Sequence, residues 1–150
     1  MGFMDTLAIS ASGMTAERLR MDVVANNLAN ANTTRTPSGG PFRREQVSFA
    51  PATASFAQTL AGMSGEEDGM NAVSGGVRVA GITPDMRPFK RSYEPGHPDA
   101  DAQGYVSMPN IDTVTEMVDM MSATRAYEAN VAAVGAVKSM AMKAMEIGRG

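Results

Sequence analysis

The sequence contains no cysteine and no tryptophan, and it has a single histidine. Without thiols there are no disulfides, no thiolate metal centres, no iron–sulfur clusters and no cysteine nucleophile. A lone histidine removes every multi-histidine metal site and leaves Ser-His-Asp chemistry resting on His97 alone. No segment is dominated by either charge. Residues 1–32 carry two bases against three acids, residues 33–108 seven against eight, and residues 109–150 four against five. That even spread excludes a nucleic-acid-binding arm and a basic membrane-surface helix. No apolar run approaches the ~18 residues of a bilayer span, so direct membrane insertion is not expected. Asp5 stands where a secretory signal would be positive, which implies a cytosolic chain or one that leaves without a cleaved signal peptide.

Glycine and proline are present but confined. Ten of the 15 Gly and seven of the 8 Pro lie between residues 33 and 108, so helix is permitted at both ends and broken repeatedly in the middle. The division expected is therefore an N-terminal helix in 1–34, a β-rich middle in 35–108, and a C-terminal helix in 109–150. The fold class is α+β, with the terminal helices paired in a coiled-coil-like α domain. In the middle, Phe42 to Phe49, Val77 to Ile82, Pro88 to Tyr93 and Tyr105 to Met108 read as strands between turns. Six of the eight aromatics fall here, enough to seed a small core. The acidic, Gly-rich stretch 62–76 reads as a mobile loop.

Leu7, Met14, Met21 and Leu28 repeat every seven residues, with Met4, Ala11 and Ala25 at the companion position and Arg18 the misfit. A helix over residues 4–31 would be about 42 Å long. The C-terminal helix starts at Asn110-Ile111-Asp112, with Glu116 and Asp119 favouring its first turns. Met117, Met120, Thr124, Tyr127, Val131, Val134, Lys138, Ala141 and Met145 then keep 3-4 spacing until Gly148. At 1.5 Å per residue this helix spans about 55 Å, beyond the usual globular length.

Of residues 111–147, 22 of 37 are apolar. A helix packed on one side needs about three in seven, or roughly 16. The surplus, including Val114, Val118, Met121, Val137, Met140 and Met142, has no cover in so short a chain, which points to burial between molecules. Ten of the 14 Met lie in the two helical ends, where an adaptable side chain suits non-identical contacts. The run Ala25-Asn26-Asn27-Leu28-Ala29-Asn30 suits a helix C-terminus; its amides satisfy the last carbonyls, bridge to neighbouring subunits, or simply stop the helix.

Two terminal motifs resemble those of the bacterial flagellar axial family of rod, hook and hook-associated proteins. They are Ser10-Ala11-Ser12-Gly13-Met14 with Arg20-Met21-Asp22-Val23-Val24-Ala25-Asn26-Asn27-Leu28-Ala29-Asn30, and Glu116-Met117-Val118-Asp119-Met120-Met121 with Arg125-Ala126-Tyr127-Glu128-Ala129-Asn130. Gly39-Gly40-Pro41-Phe42-Arg43-Arg44, Tyr93-Glu94-Pro95-Gly96-His97-Pro98-Asp99-Ala100 and Gly104-Tyr105-Val106-Ser107-Met108-Pro109-Asn110 are similar to the proximal-rod members. Residues 51–76 carry no resemblance, and Arg35-Thr36 replaces the Gly-Tyr of many relatives. The resemblance implies a structural subunit of the flagellar basal-body rod, whose helices line an export channel in a torque-bearing shaft. It implies export by the flagellar type III system to the periplasmic rod. The partners it implies are further copies of the chain, the other proximal rod proteins, the rod-to-ring adaptor protein and the distal rod protein. Candidate assembly-interface residues are Leu7, Met14, Met21, Asn26, Asn27, Leu28 and Asn30 at one end. At the other they are Met117, Met120, Met121, Tyr127, Val131, Val134 and Met145. No catalytic, cofactor-binding or metal-binding residue is assigned.

Competing functions find less support in the residues. His97, Asp99 and Asp101 form an H-x-D-x-D cluster, but it sits in the turn-rich Pro95-Gly96-His97-Pro98 without a second histidine. Ser74-Gly75-Gly76 lacks a phosphate-loop pattern. Arg87 to Arg91 is basic with one aromatic, yet Asp85 and Glu94 flank it. A soluble coiled-coil adaptor would account for the heptads but not for a β-rich insertion between two apolar helices.

Overall fold

The computed structural model describes residues 2–52 and 75–148. Helix α1 spans Phe3–Ala29, β1 Glu45–Pro51, β2 Val77–Pro84, β3 Lys90–Tyr93, β4 Tyr105–Met108 and α2 Thr113–Ile147. The architecture is α+β: along the chain, long terminal helices of 27 and 35 residues flank a middle of short strands. β1 pairs with β2, and β3 with β4. Backbone bonds tie Ala52 to Gly75 and Gly76 at one end of the first pair and Arg44 to Asp85 at the other, so the two strands run in opposite directions. Most of the 62–76 stretch, up to residue 74, lies outside the described residues, as does Phe56.

The helix ends follow from local chemistry. The Asp112 carboxylate accepts the Val114 N–H at 3.1 Å and the Thr115 hydroxyl at 3.2 Å, which makes it the N-cap of α2. At the end of α1, the Asn30 amide donates to the Asn26 carbonyl and to the Asn26 side chain, both at 3.0 Å. The Thr33 hydroxyl then donates to Asn30 at 3.1 Å. Two of the clustered asparagines therefore serve the last turn of their own helix.

The chain packs as two compact units, each drawn from separate segments. The partition differs from a helix–middle–helix division because both helices contribute to both units. Unit 1 comprises Met1–Arg18, Phe49–Ala80 and Arg125–Gly150. Its described buried residues are few: Ser10, Ala16 and Val137. Small side chains let the helices approach here; a Cβ on Gly13 would stand 3.1 Å from the Asn130 amide. The Val77 N–H donates to Ser12 at 3.1 Å, fixing the start of β2 against α1.

Unit 2 comprises Leu19–Ser48 and Gly81–Thr124 and holds the denser core, with Val23, Val24, Val106, Ile111 and Ala123 buried. The expected aromatic core is absent from it. Tyr93 and Tyr105 are exposed, and Phe42 and Phe89 only half-buried. Strand pairs this short cannot enclose large rings; Phe89 is covered instead by the Arg43 guanidinium, 4.2 Å above it.

The buried helix faces are displaced from the hydropathy seams. On α2 the line 116-123-130-137 turns inward with Met120, Tyr127, Val134 and Ala141, whereas Met117, Val131, Lys138 and Met145 face outward. On α1 the inward line runs through Ser10, Ala16, Val23, Val24 and Asn27. Leu7, Met14, Met21 and Leu28 lie half-buried at its edge, and Met4, Ala11, Arg18 and Ala25 are exposed. Glu116, Ala123 and Asn130 carry no hydropathy signal, so a seam read from large apolar residues falls one position away.

The β3–β4 turn depends on Gly104, whose φ is +81° and whose missing Cβ would lie 2.9 Å from the Tyr93 ring and 3.2 Å from Pro95. Replacement adds both left-handed strain and a clash, each on the order of 1 kcal/mol or more. Gly104→Val is therefore expected to lower the urea midpoint by about 2 kcal/mol equivalent, while Gly39→Ala, which meets nothing within 4 Å, lowers it less.

Candidate functional site

Unit 2 is organised around a charged group with no solvent. Glu116, one turn into α2, is 0% exposed. Its Oε1 accepts the Arg44 Nε–H at 2.5 Å, and its Oε2 accepts the Asn27 amide at 3.0 Å. A buried carboxylate persists only when paired and hydrogen-bonded, and here both oxygens are satisfied. Arg44 lies immediately before β1 with its side chain 10% exposed. It also reaches Asp119 at 3.2 Å and Asp85 at 3.8 Å. Asp119 takes a second arginine, Arg20 of α1, at 3.3 Å, and Asp85 takes Arg87 at 2.6 Å. Arg20, Arg44 and Arg87 thus balance Asp85, Glu116 and Asp119, and the cluster is neutral.

Two asparagines complete it by imitating backbone. Asn27 is 0% exposed, accepts the Glu45 N–H at 2.9 Å and donates to the Glu45 carbonyl at 2.8 Å, so its side chain pairs β1 as a strand residue would. Asn110 accepts the Arg44 N–H at 3.0 Å and donates to the carbonyls of Asp85 and Arg87 at 3.2 and 3.4 Å. Helix α1, the start of β1, the turn after β2 and the start of α2 are thereby locked at one point.

The sequence-derived interface residues divide into three groups. Asn27 is spent inside the chain, and Asn30 is half-buried at its own helix end. Leu7, Met14, Met21, Leu28, Met120, Tyr127 and Val134 are half-buried. Asn26, Met117, Met121, Val131 and Met145 face solvent, Met121 at 57% and Met145 at 64% exposure. Met117, Met121, Val131 and Met145, with Val114, Val118, Met140, Met142 and Ile147, are the exposed large apolar side chains of α2. Arg44 and Asn110 lie in segments that resemble the family, but neither their spacing nor that of Asp85 marks the three as partners of one cluster. The one available signal is Glu116 and Asp119, acids three residues apart on one face of an otherwise apolar helix. His97 occupies a turn, its Nδ1 accepting the Asp99 N–H at 3.1 Å.

Comparison with known proteins places these features. The family described as "Flagella basal body rod protein" matches residues 7–35, and "Flagellar basal body rod FlgEFG protein C-terminal" matches residues 102–147. The two matched segments hold Asn27 and Glu116, the two ends of the clamp. Long terminal helices joined through a small β-bearing middle are therefore the build of a flagellar basal-body rod protein. The relatives are "Flagellar basal-body rod protein FlgC" of Bacillus subtilis, 47% identical over 96% of this chain and 97% of the relative, and of Borreliella burgdorferi, 44% identical over the full length of both. The protein of the same description from Escherichia coli O157:H7 is 42% identical over 99% of this chain and all of its own. The chain belongs to the FlgC family of flagellar basal-body rod proteins.

Removing one partner of a buried pair leaves an uncompensated charge, at about 3–5 kcal/mol. Arg44→Met is expected to lower unfolding stability by that amount in urea titration, and Arg44→Met with Glu116→Leu to recover at least half. Acid acts on the same region. Asp85 is held below its ordinary 3.8 by the Arg87 side chain and N–H, Asp101 by the Tyr105 and Gln103 N–H groups, and Asp112 by the Val114 N–H. Each carboxyl binds its proton more weakly folded than unfolded, so this stabilisation is complete above about pH 4–5 and falls away at lower pH. Urea midpoints should be flat from pH 5 to 7 and drop below pH 4, and Asp112→Asn should flatten that acid limb.

Proposed function

We propose that the chain is a structural, non-catalytic subunit of the proximal flagellar rod. Its uncovered helix faces pack against further copies and other rod proteins in a tubular shaft that surrounds the export channel and transmits motor torque. The observation that supports this most is the apolar face of α2. Met117, Val118, Met121, Met140 and Met145 are between 48% and 64% exposed, so apolar side chains are open on more than one side of the helix, the kind of exposure that marks interaction sites. Adaptable methionines suit a shaft whose neighbours are not identical. In this reading residues 1–34 and 109–150 supply the shaft and residues 35–108 its outer part. The other proximal rod proteins, the rod-to-ring adaptor protein and the distal rod protein are the hetero-partners. Among the described residues no helix is long and apolar enough to cross a membrane. Passage through the flagellar type III system to the periplasmic basal body completes the proposal.

The clamp supplies what such a shaft needs. In this reading, twist applied through the helices passes to the middle region through charged, doubly hydrogen-bonded groups as well as through the apolar packing around them. Met121→Asp places a charge on the exposed face without entering the chain's own core. The urea midpoint of the purified chain should stay within about 0.5 kcal/mol of the parent, while cells carrying the variant lose swimming and accumulate basal bodies without a completed rod. Normal motility would overturn the helix-face account.

A further inference from the structure

Strands β3 and β4 pair Arg91 with Ser107, Ser92 with Val106 and Tyr93 with Tyr105. Alternation turns Ser92 and Val106 inward, where Val106 is 1% exposed, and puts Arg91, Tyr93, Tyr105 and Ser107 on the outer face. That outer face is held in place. The Tyr93 and Tyr105 rings meet edge-on at 5.2 Å, and the Arg91 guanidinium lies 5.1 Å from the centre of the Tyr105 ring. Arg91 is fixed in turn by Asp101 at 2.8 Å, and Asp101 accepts the N–H groups of Gln103 and Tyr105. Tyr93 nevertheless remains 64% exposed and Tyr105 40%. Tyrosine and arginine dominate the energetics of protein interfaces, and groups already immobilised lose little entropy on binding.

The same unit presents a second surface. Val114, Met117, Val118 and Met121 fall at i, i+3, i+4 and i+7 on α2, the spacing of a helix that docks through one face, and each is at least 48% exposed.

We propose that the two surfaces are the two halves of one contact between copies of this chain: the Val114–Met121 stripe of one copy seats on the Tyr93/Tyr105/Arg91 face of the next. The proposal rests on the rod-subunit reading. A shaft grows through contacts between two different patches, whereas a face that pairs with itself closes into a dimer and stops. The chemistry of the halves matches. The thioethers of Met117 and Met121 suit tyrosine ring edges. The exposed Asp112, just before the stripe, brings a carboxylate towards Arg91 of the neighbour.

The absence of native cysteine makes the test direct. Ser107→Cys on the hairpin face and Ser122→Cys beside the stripe are introduced in separate, differently tagged full-length copies and co-expressed. Purified basal bodies are then treated with a short thiol-to-thiol cross-linker. A band containing both tags is expected, about ten-fold or more above that from rods in which one of the two tagged copies lacks its cysteine. As a second arm, Tyr93→Ala with Tyr105→Ala should reduce incorporation into rods about ten-fold. Rods that contain both cysteine variants yet give no mixed band, or that take up the alanine variant normally, overturn the pairing and leave the rod reading intact. Absence of the unmodified chain from purified rods overturns the rod reading and the pairing with it.

Discussion

A carboxylate with no access to water sets the terms for unit 2. Glu116 sits at the start of a long helix, and the cost of burying its charge is met only if Arg44 and Asn27 arrive at 2.5 and 3.0 Å. That requirement recruits α1 through Asn27, β1 through Arg44 and Glu45, and the turn after β2 through Asp85. Apolar contact is non-directional and would allow these elements several registers. A saturated polar cluster admits one, because every alternative leaves a buried donor or acceptor unpaired. The specificity is placed where residues of the chain's N- and C-terminal motifs meet, at Asn27 and Glu116.

The two units differ in what fastens them. Unit 2 has a charged lock and, among its described residues, six buried apolar side chains: Val23, Val24, Val106, Pro109, Ile111 and Ala123. Among the described residues of unit 1, the contacts are made by small side chains such as Ser10, Gly13 and Ala16, with Val137 buried beside them. A long helix gains stability mainly from what packs against it, and the apolar residues exposed along α2 leave it surface of that kind.

Much of the organisation was legible in the residues. Proline and glycine confined to the middle placed the helices to within two residues at most ends, and Tyr105 to Met108 was located as β4. Turn chemistry exposes itself locally, and so does the choice between helix and strand. The inward helix faces were not legible, because the lines through Glu116, Ala123 and Asn130, or through Ser10 and Asn27, are polar or small. Hydropathy spacing finds large apolar residues, and in this chain many of those face outward. Arg44, Asp85 and Asn110 escape notice for a related reason: each is ordinary in its own segment and joins the polar cluster only through partners tens of residues away.

The helices, the strands, the absence of thiol and multi-histidine chemistry, and the surplus of apolar surface were all properties of the linear chain, since they depend on neighbours a few residues apart or on counts. Which helix face turns inward, which asparagine joins the core and which carboxylate loses its water depended on contacts between distant segments. Glu116 has the same sequence environment whether solvated or buried; only the arrival of Arg44 and Asn27 decides between them.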